Sequence, residues 1–404
     1  RLARTVGEKI RERYPTDCVY LDVHTNWGGS AVDYEAGVEG AGTARATILG
    51  NAECLREVHN QHRALCSEGI RRWMYAGLAD MDYAQWVDVI KPENKLLLPD
   101  FDLLRIHPKQ IGTAMGYSPT CFFSEEGLKE YSRDPGRGTD HQPFYHYVAA
   151  TLAHGHSALF GYGYFPSLAR TLHYYALLSG PQEDYLPDTV ANIAWYSEPQ
   201  GRFISTSNAL RSGVREDGKL RVTYSGGQVA YVNYHAKNTW ALSVGERGYL
   251  LPPYGWVISK PGRILAYSTL VNGRRVDYVD CPRYVYLNSG NKPATEGAVT
   301  VDGAVFITKG KPLAVVPCGD LGSWKSEAGE RYPVFQDLVP AGPPPDRGVR
   351  LLRVNAAALL GVAEDASVTV DQRDAEGRVV ATEKALAGSV ALTPDAKTVD
   401  YTLE

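Results

Sequence analysis

Long hydrophobic runs are missing from this sequence. No stretch approaches the roughly 18 apolar residues a spanning helix needs, so no membrane span is expected. An excess of one charge is missing as well: 42 Lys and Arg stand against 46 Asp and Glu, a net of -4. That balance leaves no basic face for nucleic acid or an anionic membrane, and neither is expected as a partner. Close-spaced cysteines are also lacking. The six, Cys18, Cys54, Cys66, Cys121, Cys281 and Cys318, include no Cys-x-x-Cys pair, which argues against a zinc site and against a disulfide scaffold. They read as mostly free, buried thiols. A cleavable leader is not recognisable, because "RLARTVGEKIRERYP" is a charged amphipathic helix pattern that opens on Arg1. An N-terminal portion is therefore expected to be missing, and localisation stays open between cytoplasmic and secreted.

What is present is enough apolar material for two or three domains: 404 residues, 44% of them hydrophobic. From Arg1 to about residue 187, helical periodicity alternates with short apolar runs. The helical stretches are Leu2–Arg13, Asn51–Gln61, Phe144–His154 and Leu168–Leu178. The runs "CVYLDV", "ALCSEG", "KLLLPDFDLL" and "HSALFGYGYF" have the look of parallel strands covered on both faces. Residues 188–340 change to period-2 alternation with turn signals, the pattern of a β-sandwich. "KLRVTYSGGQVAYVNYH" is expected to turn at Gly226–Gly227, and "RILAYSTLVNGRRVDYVDCPRYVYL" at Asn272–Gly273. After the linker "PAGPPPDRG", residues 349–404 resemble a small Ig-like sandwich.

Polar residues gather at the ends of the early runs. In parallel α/β folds the carboxyl ends of strands carry ligand chemistry. Asp22 ends the first run and Glu68 the second, and two carboxylates on neighbouring strand ends are what glycoside cleavage requires, one attacking and one donating a proton. Either residue equally serves to cap a helix or pair with an arginine. His24, Asn26 and Asp33 follow Asp22 and are candidates for the same mouth. Asp100 and Asp102 share a strand face by period 2, as sugar-hydroxyl ligands or as a salt-bridging pair. Trp73 and Tyr75 are placed to stack on a sugar or to fill a core. Asp80 and Asp82 resemble an oxygen cluster for a structural calcium ion, or a solvated loop. Asp140 and His141 are further candidates for the mouth, whereas the His154-x-His156 pair has no third zinc ligand nearby in sequence. No cofactor is required.

The segment "YLDVHTNWGGSAVDYEAG", followed by "ALCSEG", the "LLLPDFDLL" run and "LPPYGWV", resembles glycoside hydrolase family 129, which is related to the family 101 endo-α-N-acetylgalactosaminidases. The resemblance covers the chain to about residue 290. It implies a retaining enzyme with Asp22 as nucleophile and Glu68 as acid/base, acting on α-linked N-acetylgalactosamine of glycoconjugates. It also implies the C-terminal part of a (β/α)8 TIM-type barrel followed by β-sandwiches, with the first three barrel strands absent. A non-catalytic carbohydrate-binding or surface protein is the alternative, with Tyr231, Tyr234 and Trp240 as its aromatic platform. The partner is a carbohydrate on either reading, and the oligomeric state stays open.

Overall fold

The computed structural model describes residues 2–25, 37–67, 72–75, 77–82, 142–155, 157–158, 168–290, 292–318, 349, 351–394, 398 and 400–404. They fall in two compact units. One holds the described residues up to Asp82 and the pair 157–158, and the other holds the rest.

The first unit contains α1 (Leu2–Arg13), β1 (Cys18–Leu21), α2 (Ala44–Gln61), β2 (Ala64–Ser67), a 3-10 turn (Arg72–Tyr75) and β3 (Met81–Asp82). The three strands pair in parallel in the order β1-β2-β3. The start of α2 is set by Thr43, whose side-chain oxygen accepts the Ala46 N–H and satisfies one of the unpaired donors of the first turn. Leu55 and Val58, three apart and so on one helical face, pack with Leu65 of β2 and Tyr75. Val19 and Leu21 join this core, while Cys18 and Tyr20 on the opposite face of β1 are exposed. The expectation of strands covered on both faces is corrected here: β1 alternates between half-buried and exposed residues.

The second unit is built on a 13-stranded sheet, antiparallel throughout, in the order β20-β19-β22-β17-β16-β13-β12-β11-β10-β7-β6-β4-β5. Its strands are β4 (Val190–Ser197), β5 (Arg202–Ser205), β6 (Lys219–Tyr224), β7 (Val229–Asn233), β10 (Trp256–Lys260), β11 (Ile264–Val271), β12 (Arg274–Asp280), β13 (Tyr284–Asn288), β16 (Ala304–Thr308), β17 (Leu313–Pro317), β19 (Ser367–Arg373), β20 (Val379–Leu386) and β22 (Asp400–Leu403). Both expected hairpins form. β6 and β7 turn through Gly226–Gly227, and β11 and β12 through Asn272 and Gly273, at φ 52° and 74° as a tight hairpin turn requires.

The two faces of this sheet bury different things. Val257, Tyr267, Tyr278, Leu287 and Val305 share one face by register. They join a core with the hairpin β8 (Trp240–Val244) and β9 (Arg247–Leu251) and with a four-stranded sheet of β14 (Ala294–Glu296), β15 (Val299–Asp302), β18 (Leu351–Val354) and β21 (Val390–Leu392). The other face meets α3 (Gln142–His154) and α4 (Leu168–Tyr185), which lie against β6, β7 and β11 to β13. Among the described residues the second unit also has two short helices, α5 (Thr206–Ser212) and α6 (Ala356–Leu360), and a 3-10 turn (Val214–Asp217).

The TIM-type barrel is overturned by this arrangement. Among the described residues, parallel pairing is confined to the three strands of the first unit, and the protein is mostly antiparallel β. The helical stretches at 144–154 and 168–178, read as barrel helices, cover the antiparallel sheet instead. Periodicity reports that a helix has a face to bury, not which strands receive it. Residues 349–404 give strands to the two larger sheets of the second unit: β18 pairs with β15, and β22 with β17.

Candidate functional site

The carboxyl edge of β1-β2-β3 is where the first of the candidates, Asp22, emerges. Leu21 lies opposite Ser67, and Ser67 opposite Asp82, so the three strands end level. Asp22 follows β1 directly and is exposed. The Tyr20 hydroxyl donates to Asp22 Oδ1 at 3.1 Å. Tyr20 was overlooked in the sequence although the signal was there, since residues two apart on a strand share a face.

The chain leaves β1 in a strained turn. Val23 has φ 50°, a left-handed conformation that is costly for a β-branched side chain and persists only where the surroundings enforce it. The enforcement is visible in Thr25, which is buried and donates both its N–H and its hydroxyl to Ser67 Oγ at 3.3 Å. Ser67 in turn donates to the Leu21 carbonyl at 2.7 Å. Asp22 is thereby held between an in-register strand and a turn tied to the end of β2.

His24 hydrogen-bonds through Nδ1 to the Asp22 main-chain carbonyl at 2.8 Å. Its pKa is raised, first by a hydrogen bond with Cys54 and then by its bond to Asp22, against the opposing effect of burial. Glu68, Asn26, Asp33, Asp100, Asp102, Asp140, His141 and His156 lie outside the described residues, as does the side chain of Trp73.

Other candidates are used structurally. Tyr75 is a core residue, 2% exposed, with its hydroxyl in reach of Asn51 Nδ2 at 3.5 Å. The Asp80 carboxylate accepts the Leu65 N–H at 2.8 Å and pairs with His59 at 3.1 Å. Among the described residues no group of three or more His, Cys, Asp or Glu is placed to hold a metal ion. His154 donates from Nδ1 to the Ala150 carbonyl of its own helix. Of the aromatic platform of the binding alternative, Tyr234 and Trp240 are 6% and 2% exposed, Trp240 as part of the sandwich core, and Tyr231 is half-buried against that core. Of the five described cysteines, all are free thiols, with Cys281 and Cys318 buried but Cys18 exposed, which corrects the expectation of mostly buried thiols.

A second polar cluster, which the sequence did not reveal, sits where α3 and α4 meet the large sheet. Asp277, 1% exposed, accepts from the Tyr145 hydroxyl at 2.8 Å and from His173 at 3.1 Å. Burial pushes its pKa up, but His173 and the neighbouring Arg275 push it further down, so it is net lowered. Beside it, His146 stacks on Tyr254 with ring centroids 4.2 Å apart and shares a 2.7 Å hydrogen bond with the Tyr234 hydroxyl. Tyr254, at φ 58°, belongs to the "LPPYGW" segment. That motif therefore packs a strained loop against α3. A scan against protein-family models found no match to this chain, and a search of curated proteins found none either.

Proposed function

We propose that this protein is a retaining glycoside hydrolase that removes α-linked N-acetylgalactosamine, or a related α-galactoside, from glycoconjugates such as mucin-type O-glycans. Asp22 is the nucleophile and Glu68 the acid/base. The observation that carries the reading is the register of β1 on β2. Leu21, which precedes Asp22, lies opposite Ser67, which precedes Glu68. Adjacent strands run about 4.8 Å apart. The register thus ends β1 and β2 level just before the two carboxylate positions of the sequence, and the retaining course is taken from the resemblance to family 129. The sugar itself comes from the resemblance to family 129.

In the first step Asp22 attacks the anomeric carbon while Glu68 protonates the departing oxygen. The Tyr20 hydroxyl, donating to Oδ1, fixes the orientation of the Asp22 carboxylate for that attack. In the second step Asp22 is an ester, and Glu68 takes a proton from the water that hydrolyses it.

The test follows cleavage of an aryl α-N-acetylgalactosaminide by proton NMR. The α-anomer is expected first, and the β-anomer first, or no release, overturns the proposal. Asp22→Asn is expected to lower kcat on the order of 10^4-fold while thermal unfolding stays unchanged. Glu68→Gln is expected to impair substrates with poor leaving groups far more than activated aryl glycosides, since the latter need little protonation. Equal losses on both would remove Glu68 from the acid role.

A further inference from the structure

Cys18 and Cys66 lie on the same face of the small parallel sheet. Cys18 is opposite Ala64 and Tyr20 is opposite Cys66, so the two thiols are diagonal neighbours across β1 and β2. Their sulfur atoms are 3.5 Å apart, in contact but unbonded. Cys18 is exposed and Cys66 half-buried, so one member of the pair is open to a small reagent and the other waits behind it. We propose that Cys18 and Cys66 form a reversible disulfide by exchange with a small-molecule disulfide and thiol couple of the glutathione type.

The exchange has two steps. The Cys18 thiolate attacks one sulfur of the oxidised small molecule, whose S–S bond breaks and releases one equivalent of thiol. The resulting mixed disulfide on Cys18 is then attacked by the Cys66 thiolate, which forms the protein disulfide and releases the second equivalent. Two protein thiols are oxidised, one small disulfide is reduced to two thiols, and no other electron acceptor is involved.

Chemistry assigns the order. Burial, and secondarily the neighbouring Cys18, pushes the Cys66 thiol up to about 12, so little thiolate is available there at neutral pH. The exposed thiol therefore meets the reagent first. The resolving step is expected to accelerate about tenfold per pH unit between roughly pH 7 and 9, following the Cys66 thiolate fraction.

Geometry makes the bond regulatory rather than a permanent staple. With parallel strands about 4.8 Å apart and a two-residue offset of about 6.6 Å along them, these diagonal neighbours have Cα atoms about 8 Å apart. Disulfides span roughly 4.4–6.8 Å, and their sulfurs must close to about 2.05 Å. Closing the bond requires β1 to shift along β2 at this end, and the strain makes it readily reducible. The effect falls next to Tyr20, which lies opposite Cys66 and donates to Asp22. The thiol pair thus senses redox poise at the strand that carries Asp22, whatever reaction Asp22 performs.

The test equilibrates the intact protein with glutathione mixtures, blocks free thiols by alkylation and maps the peptides. A Cys18–Cys66 linkage that appears in oxidised mixtures and disappears in reduced ones is expected. Cys66→Ser is expected to trap glutathione on Cys18, and Cys18→Ser to leave Cys66 unmodified over the same time. Independent alkylation of both cysteines in every mixture overturns the proposal, as does a bond from Cys18 to any other cysteine. A resolving rate insensitive to pH overturns the role given to Cys66. The wild-type measurement stands even if a serine variant fails to fold.

Discussion

Burial decides the chemistry of single side chains in the second unit. His146 is 1% exposed between Tyr234 and Tyr254, and burial lowers its pKa from 6.5 to about 3. The sign of the consequence follows from linkage. Below about pH 6.5 the unfolded chain binds a proton at this ring that the folded chain refuses. Stability is therefore full above that pH and falls with acidification at up to about 1.4 kcal/mol per pH unit, until the folded ring protonates near about 3. Urea unfolding followed between pH 7 and 4.5 should show this slope, and His146→Gln should flatten it by about one proton's worth. An unchanged slope would mean that the ring is already charged in the fold. Asp277 behaves in the same direction over a lower range, because its lowered pKa withdraws stability only as carboxylates begin to protonate.

At the level of elements, turn chemistry and strand pairing can be separated experimentally. Gly273 sits at φ 74° in the β11–β12 turn, and a Cβ added there would meet nothing within 4 Å. Its requirement is therefore backbone conformation alone. Gly273→Ala is expected to cost about 1–2 kcal/mol, the ordinary penalty for a side chain in the left-handed region. Gly248 in β9 also has open space but no positive φ, so Gly248→Ala should be neutral or slightly stabilising. Denaturation midpoints of the two variants, measured side by side, check this. Equal effects would locate the cost in packing rather than in φ. The turn was readable in the sequence because Asn-Gly between alternating runs is a local signal with a local cause. The same holds for α1, whose periodicity places it at Leu2–Arg13 as observed.

On the scale of the whole molecule, the last strand closes the sheet from the inside. β22 lies between β17 and β19, with Tyr401 and Leu403 fully buried and Glu404 exchanging main-chain hydrogen bonds with Thr369. Ending the chain at Thr398 would strip an interior strand, third from one edge of the sheet, leaving β17 and β19 with unpaired edges and removing two large buried side chains. A loss of about 4 kcal/mol or more is expected, seen as early, broadened urea unfolding by tryptophan fluorescence. A truncated chain as stable as the full one would contradict the interior place of β22. The same interleaving explains why the antiparallel sheet was hidden in the sequence. Each run reads as a strand by itself, but nothing local says that β22 pairs with β17, more than 80 residues earlier.

The sequence alone determined some local matters: the helix at Leu2–Arg13, the strands that precede Asp22 and Glu68, and where the hairpins turn. These depend on side-chain periodicity and on backbone preferences that act within a few residues. The second helix, by contrast, begins at Ala44 rather than Asn51, and the expected runs at 95–104 and, apart from 157–158, 156–165 lie outside the described residues. Tertiary structure decided the rest. It showed that α3 and α4 cover an antiparallel sheet rather than a barrel, that Tyr234 and Trp240 are buried rather than a platform, and that the Tyr20 hydroxyl holds Asp22. The physical reason is that an apolar or aromatic face is equally favourable against any complementary surface. Only the pairing of distant strands selects which surface it meets.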